Sequence, residues 1–331
     1  MTTPTPAALR QAVVVNVSRG YYNLGAHKLF DWLQAQDYQV DYFDGDPGLF
    51  LPTCDLLALS VIFSWHAPIA RDITMRVLGR SEVWCGGPGM FALGKWWKQE
   101  TGLDCQHGLD SRFERQRGAY RMTFASRGCP VNCYFCIVPR LEGTDFTLDW
   151  DFQPAPILCD NNLSALPAEF QCHIIARYRE TQTQLIDANS GFEPRTFDRE
   201  VYLRWKPLLR GPWRFAFDTL DEEQWVKPMM EILSEVPPSR KRVYCLIGNE
   251  PIAACQERAR KIIAWHGEPY CQPYTLLNAL RREDYKIAFD WTVERLKDFA
   301  RYYNRWLYRT VPLAEYKPRR NMSATFAGMS L

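Results

Sequence analysis

Two hydrophobic rhythms alternate along almost the whole chain. Short apolar runs rich in Val, Ile, Leu and aromatic residues predict strands, and stretches with apolar positions every three or four residues predict helices. Ala12–Val17 (AVVVNV) reads as a first strand. The loop SRGYYN then leads into a helix near Gly25–Gln36. YQVDYFD reads as a strand, LLALSVIF as a buried strand, Pro68–Leu78 as a helix, and SEVWCGGPG as a strand ending in a glycine turn. This block, residues 1–117, predicts a small doubly wound, Rossmann-like α/β sheet. The polar stretch Gly102–Gly118, with Arg112, Glu114, Arg115 and Arg117, reads as a linker or surface loop.

The same alternation resumes in residues 118–290. Strands are predicted at Tyr120–Ala125, Pro156–Cys159, Gln184–Ala188, Trp213–Phe217, Arg242–Ile247 and Tyr270–Tyr274. Helices are predicted at Ala168–Glu180, Asp198–Leu209, Glu222–Ser234 and Ile252–Trp265. Six strands with intervening helices predict a partial (β/α)6 barrel, an incomplete relative of the closed eightfold TIM barrel. Residues 291–331 supply a last helix, Thr292–Leu307, and the end KPRRNMSATFAGMSL, which reads as a flexible tail.

Composition narrows the class. The 331 residues are 47% hydrophobic and 24% charged, as in a water-soluble two-domain protein. A formal net charge of +2 gives no strong field to draw in nucleic acid or membrane. The longest clean apolar stretch is too short to span a bilayer, and MTTPTPAALR does not read as a signal peptide. Eleven cysteines, an odd number in a large chain, read as reduced thiols in a cytoplasmic protein.

The densest chemistry lies just after the first strand of the second block. RGCPVNCYFCIVP, residues 127–139, spaces Cys129, Cys133 and Cys136 as C-x3-C-x2-C. Thiolates hold iron–sulfur clusters, and three of them leave one iron of a cubane open to substrate or cofactor. Gly128 and Pro130 help the chain bend at the first cysteine, and Tyr134 and Phe135 are expected to shield the metal from water. Two other readings stand beside this one. Structural zinc needs a fourth ligand, for which Cys105, His107 and Cys159 are nearest in sequence. The three thiols are otherwise unrelated buried cysteines.

The motif, with an aromatic before its last cysteine and a six-unit β/α block around it, resembles the radical S-adenosylmethionine (SAM) superfamily. FASRGCPVNCYFCIVPRLEG is similar to members with an N-terminal cobalamin (B12)-binding domain, and to methylthiotransferases. The resemblance implies that Cys129, Cys133 and Cys136 hold a [4Fe-4S] cluster whose open iron chelates SAM. One electron from a flavodoxin- or ferredoxin-type reductant would then cleave the sulfonium. The resulting 5′-deoxyadenosyl radical would abstract hydrogen from an unactivated carbon, with methyl transfer if cobalamin is present. A second reading is an enzyme that modifies RNA or DNA, suggested by the CIVP region and by Arg301, Arg305 and Arg309 in one stripe. A third is a metal- or cluster-bearing protein without chemistry. The substrate is left open as a small molecule or a nucleic acid.

Strand ends supply the remaining candidates. CDNNLS stands where the superfamily contacts the SAM amino group, which implies that role for Asp160 and Asn161; a turn with a helix cap is the alternative. Asn189, Ser190 and Glu193 end the third strand, and Asp218 ends the fourth as a ribose partner or a cap. Ile247, Gly248 and Asn249 resemble the stretch that packs near adenine. Gln272 and Tyr274 end the sixth, Tyr274 more readily as a packed ring than as a hydrogen donor.

In the first block, the family's Asp-x-His-x-x-Gly loop is replaced by SRGYYNLG, which carries no histidine. Ser60 (or Ser64) and the pair Gly86–Gly87 are the features that suit a cobalamin, the glycines by letting a nucleotide tail approach the backbone. His27 and His66 read as ordinary helix and loop residues.

Overall fold

The computed structural model describes residues 9–106 and 108–318. His107, one of the possible zinc ligands, and the tail from residue 319 lie outside the described residues. The chain divides into two compact units. The first runs through Arg121 and includes Val131–Thr144 and Leu277–Arg282. The second comprises Met122–Pro130, Asp145–Leu276 and the chain from Glu283 onward.

The first unit is built from β1 (Arg10–Asn16), α1 (Leu24–Gln34), β2 (Tyr38–Asp44), β3 (Leu56–Ser60), α2 (Ala67–Val77), β4 (Glu82–Gly86), α3 (Gly94–Thr101) and the short α4 (Ser111–Glu114). Its four strands are parallel in the order β2-β1-β3-β4. Both faces are covered. Val13, Val15, Leu57 and Leu59 pack with Ile73 and Trp97, while Ala12, Val14, Leu56 and Ala58 pack with Ala26, Leu29 and Leu33. Burial on both sides is why β1 and β3 read as unbroken apolar runs rather than alternating ones. Register brings the strand ends into one row: Asp44 opposite Asn16, Asn16 opposite Ser60, Ser60 opposite Gly86.

From Met122 onward the elements are β5 (Met122–Thr123), β6 (Ser126–Arg127), α5 (Val138–Leu141), β7 (Thr147–Leu148), β8 (Ile157–Leu158), α6 (Ala168–Glu180), β9 (Asp187–Ala188), α7 (Arg199–Trp205), β10 (Trp213–Ala216), α8 (Glu223–Ile232), β11 (Lys241–Ile247), α9 (Ile252–Ala264), β12 (Glu268–Pro273) and α10 (Val293–Asn304). All but α5 belong to the second unit. The six expected strands are present, with parallel pairing in two three-stranded sheets, β5-β8-β9 and β10-β11-β12. β6 and β7 form a separate antiparallel pair. Among the described residues no strand ladder closes a barrel.

The two sheets meet at backbone contacts beside β9 and β10. Arg210 N–H donates to the Leu185 carbonyl at 3.0 Å, and Phe192 N–H to the Arg214 carbonyl at 2.9 Å. Glycine is required on both sides of this joint. A Cβ on Gly211 would lie 1.9 Å from the Ile186 carbonyl oxygen, and one on Gly191 2.2 Å from that of Arg214. Phe192, Phe197, Trp205, Trp213 and Phe215 pack against one another beside it.

The C-terminal helix corrects one expectation. Phe299, Tyr302 and Tyr303 are buried in the second unit's core, and Asn304 clamps Cys271 through two backbone bonds of 2.7 and 2.9 Å. The helix ends there, and Trp306 follows with a left-handed φ of 55°. Arg301, Arg305 and Arg309 therefore do not form one helical stripe. Arg309 turns back to Glu268 at 2.9 Å.

Candidate functional site

The cysteine loop needs residues that tolerate tight winding. Gly128 has φ of 89° and Asn132 φ of 54°, both left-handed, a region that glycine and asparagine enter most readily. Cys129 lies in the second unit; Cys133 and Cys136 lie in the segment grouped with the first. Cys136 N–H donates to the Cys133 carbonyl at 3.0 Å, and Cys136 Sγ accepts from Val138 N–H at 3.4 Å. Cys129 Sγ accepts the side-chain amide of Asn162 at 3.8 Å. The sulfurs of Cys129 and Cys136 thus each face an N–H group. Tyr134, expected as a shield, is 53% exposed and packs edge-on against Phe135 at 5.0 Å.

Three consecutive residues after β8 hold successive points of this loop. Asp160 is fully buried; its two oxygens accept from Ala125 N–H at 2.8 Å and the Ser126 hydroxyl at 2.5 Å. Burial pushes its pKa up to about 6, against the pull of these donors and of Arg127. Asn161 donates to the Gly128 carbonyl at 3.3 Å. Asn162 reaches the sulfur. In the structure this segment supports the cysteine loop. Asn162 was not singled out from sequence, where a doubled Asn after a strand looks like turn chemistry.

The other strand ends are less open than their sequences suggested. Asn189 and Ser190 are exposed, and the Ser190 hydroxyl donates to the Cys159 carbonyl at 3.3 Å. Asp218 is nearly buried; its carboxylate accepts Leu246 N–H at 2.7 Å, and its own N–H donates to Glu222 at 2.6 Å. Burial first, then the neighbouring carboxylates of Glu222 and Glu193, push Asp218 up to about 7. Glu193, also raised by burial, shares Arg195 with Glu222. Arg258, which no sequence motif marks, is fully buried and donates to the carbonyls of Phe217 at 2.6 Å and Leu246 at 2.8 Å. Ile247 is wholly buried, and its carbonyl is taken by Tyr274 N–H at 2.9 Å. Gly248 turns the chain beside the Lys286 carbonyl. Gln272 is exposed, and Tyr274 lies against Lys286.

At the row of strand ends in the first unit, polar side chains knot together where β1 and β3 part to opposite sides, the position at which doubly wound sheets receive ligands. Asn23 caps α1 by accepting Ala26 N–H at 3.1 Å, and its amide donates to Asn16 at 3.1 Å and to the Ser60 hydroxyl at 3.0 Å. Ser18 accepts Ile62 N–H at 3.1 Å and lies 3.0 Å from His66 Nδ1. Burial, then Arg282, lowers the His66 pKa. Tyr21 and Trp65 flank Phe63 nearby at 4.8 and 4.6 Å. His27 is stacked between Tyr22 and Tyr42. Ser60 is engaged by Asn23. Gly87, with φ of 103°, passes so close to Val61 that a Cβ would fall 2.5 Å from its carbonyl oxygen. That glycine serves contact between strand-end loops.

Among the described residues no three His, Cys, Asp or Glu side chains are gathered so as to hold a metal ion. The described cysteines form no disulfide, and no described helix is long and apolar enough to cross a membrane. Neither a protein-family model nor a curated protein matches the sequence. Solved structures do match. The cobalamin-dependent SAM radical enzyme OxsB, solved with aqua-cobalamin and SAM, gives a TM-score of 0.48 at 13% identity, covering 90% of this chain and 56% of that one. The radical SAM methyltransferase TsrM from Kitasatospora setae, solved with cobalamin and a [4Fe-4S] cluster bound, gives 0.55 at 13% identity, covering 82% of this chain and 77% of that one. By its fold, the chain is similar to a cobalamin-bound radical SAM methyltransferase.

Proposed function

We propose that the chain is a radical SAM enzyme that functionalises an unactivated C–H bond, with cobalamin-dependent methyl transfer as its reaction class. The observation that carries this reading is the three-cysteine loop that follows β5, in a chain whose fold is similar to that of TsrM. Cys129, Cys133 and Cys136 would hold a [4Fe-4S] cluster. What supports this is the chemistry of the donors, three thiols in one loop, with the N–H groups of Asn162 and Val138 directed at two of the sulfurs. Such a cluster supplies one-electron cleavage of SAM, with the electron from a flavodoxin- or ferredoxin-type donor. The chain's own part is to fix the loop through Asp160, Asn161 and Asn162. It would also offer SAM and substrate the exposed strand end at Asn189 and Ser190.

The polar and aromatic edge of the first unit, around Ser18, Ser60, His66 and Phe63, would face a cobalamin. A nucleic-acid substrate finds less support, because the arginines that suggested it do not share a helix face. A small molecule is the favoured substrate class. Anaerobic reconstitution with iron and sulfide should give about four irons per chain by the cluster stoichiometry of this ligand type. With dithionite and SAM, 5′-deoxyadenosine should appear. A fully loaded protein that neither binds nor cleaves SAM would refute the enzyme. Zinc in place of iron in anaerobic preparations would favour a metal-bearing protein without chemistry.

A further inference from the structure

We propose that Asn162 is a positioning residue for Cys129 and raises the reduction potential of the cluster bound there. The proposal rests on the cluster reading above. Asn162 is only 3% exposed, so its amide is removed from water, and its Nδ2 faces Cys129 Sγ at 3.8 Å, a hydrogen-bond distance for a large, soft acceptor.

The direction of the amide is fixed by its other end. Asn162 Oδ1 accepts Ala165 N–H at 3.1 Å and lies 3.4 Å from the Ser164 hydroxyl. A flipped amide would present hydrogens to Ala165 N–H, donor against donor, and an oxygen lone pair to the sulfur. Ser164 is itself tied down: its hydroxyl donates to the Glu193 carbonyl at 3.1 Å, accepts Glu193 N–H at 2.8 Å and lies 3.0 Å from the Thr196 hydroxyl. A buried chain thus runs from Glu193 through Ser164 and Asn162 to the sulfur, holding an N–H dipole with its positive end toward the metal ligand.

Reduction adds one electron from an external donor to the cluster; no bond is made or broken and no proton moves. The added negative charge spreads onto the ligand sulfurs, and a fixed N–H directed at one of them stabilises the reduced form. Removing that N–H makes the cluster harder to reduce.

The test compares wild type with Asn162→Ala, Asn162→Asp and Ser164→Ala, all reconstituted anaerobically. Iron is counted, the fold is checked by circular dichroism, and the cluster couple is measured by EPR-monitored potentiometry. Asn162→Ala should lower the midpoint potential at wild-type iron content. Asn162→Asp, which replaces a donor by a negative charge, should lower it further. Ser164→Ala, which keeps Asn162 but loosens it, should give a smaller shift in the same direction and serves if the Asn162 variants do not fold. Full iron in Asn162→Ala at the wild-type potential overturns the proposal. So does reduced iron content with the remaining clusters at the wild-type potential, which would make Asn162 merely structural. A wild-type chain that takes up no iron overturns the cluster reading itself and the proposal with it.

Discussion

The Ser126 hydroxyl donates to the wholly buried carboxylate of Asp160 at 2.5 Å, joining residues 34 apart at the base of the cysteine loop. The other oxygen of Asp160 accepts Ala125 N–H at 2.8 Å. Truncation in Asp160→Ala would leave both donors buried without an acceptor. Each such loss costs about 1–3 kcal/mol. Urea unfolding should show a loss of about 2–6 kcal/mol, and iron uptake should fall with it.

The same carboxyl makes stability depend on pH. An unfolded aspartate releases its proton near 3.8, whereas burial holds that of Asp160 to about 6. Between those values the folded protein binds more protons than the unfolded one, so unfolding free energy falls as pH rises. Asp218, raised to about 7, acts in the same direction. Burying an ionised Asp160 costs on the order of 3 kcal/mol above pH 6, and this cost is absent below pH 4. Asp160→Asn, in which Ser126 can rotate to suit the amide, should flatten the slope of stability between pH 4 and 6, measured by denaturant titration across that range.

Replacement of Cys129, Cys133 or Cys136 by Ala should abolish cluster uptake and 5′-deoxyadenosine formation. Cys172→Ala, at an exposed position on α6, should change neither. Equal iron content in all four variants would remove the loop from the metal chemistry.

Gly211→Ala should destabilise the protein by about 3 kcal/mol or more, because neither backbone at the joint can yield the 1.9 Å that its Cβ would meet. Gly143→Ala offers the opposite case: unlike Gly211 it has a left-handed backbone, at φ of 93°, but open space around it. Its cost should be smaller and confined to backbone strain. Equal melting curves for the two would refute the steric account of the joint.

Asn23→Ala removes the N-cap of α1 and two donors to Asn16 and Ser60 at once. A cap alone is worth about 1 kcal/mol, and the buried partners add a similar loss. The expected total is about 2–3 kcal/mol by denaturant unfolding. Asn23→Asp should recover the cap but not the donation to Ser60, leaving a smaller deficit.

The elements of both units were legible because burial writes itself into local composition. β2 and α6 occupy the residues their patterns predicted, and β1, β3 and α9 differ only at their ends. Doubly covered strands must be apolar on both faces, and a helix between sheet and water must be apolar on one. The cysteine loop stood out for a different reason: free cysteines are commonly buried singly, and three in eight residues are unusual. The role of Asn162 was not legible, since an asparagine's partners lie wherever the fold brings them. The same holds for Arg258 and for the polar knot of Asn16, Asn23 and Ser60. The arginine stripe was misread because helical spacing was carried past Asn304, where Trp306 turns the chain into a left-handed residue.

By itself the sequence determined the order of strands and helices, because it depends on residues close together in the chain. Only the tertiary structure decided that six strands pair as two sheets joined at Gly191 and Gly211. Only there, too, does CDNN become the loop's support, with Asp160 buried and raised in pKa. Those outcomes depend on hydrogen bonds and close contacts between distant residues, and no local pattern encodes the distances that make or forbid them.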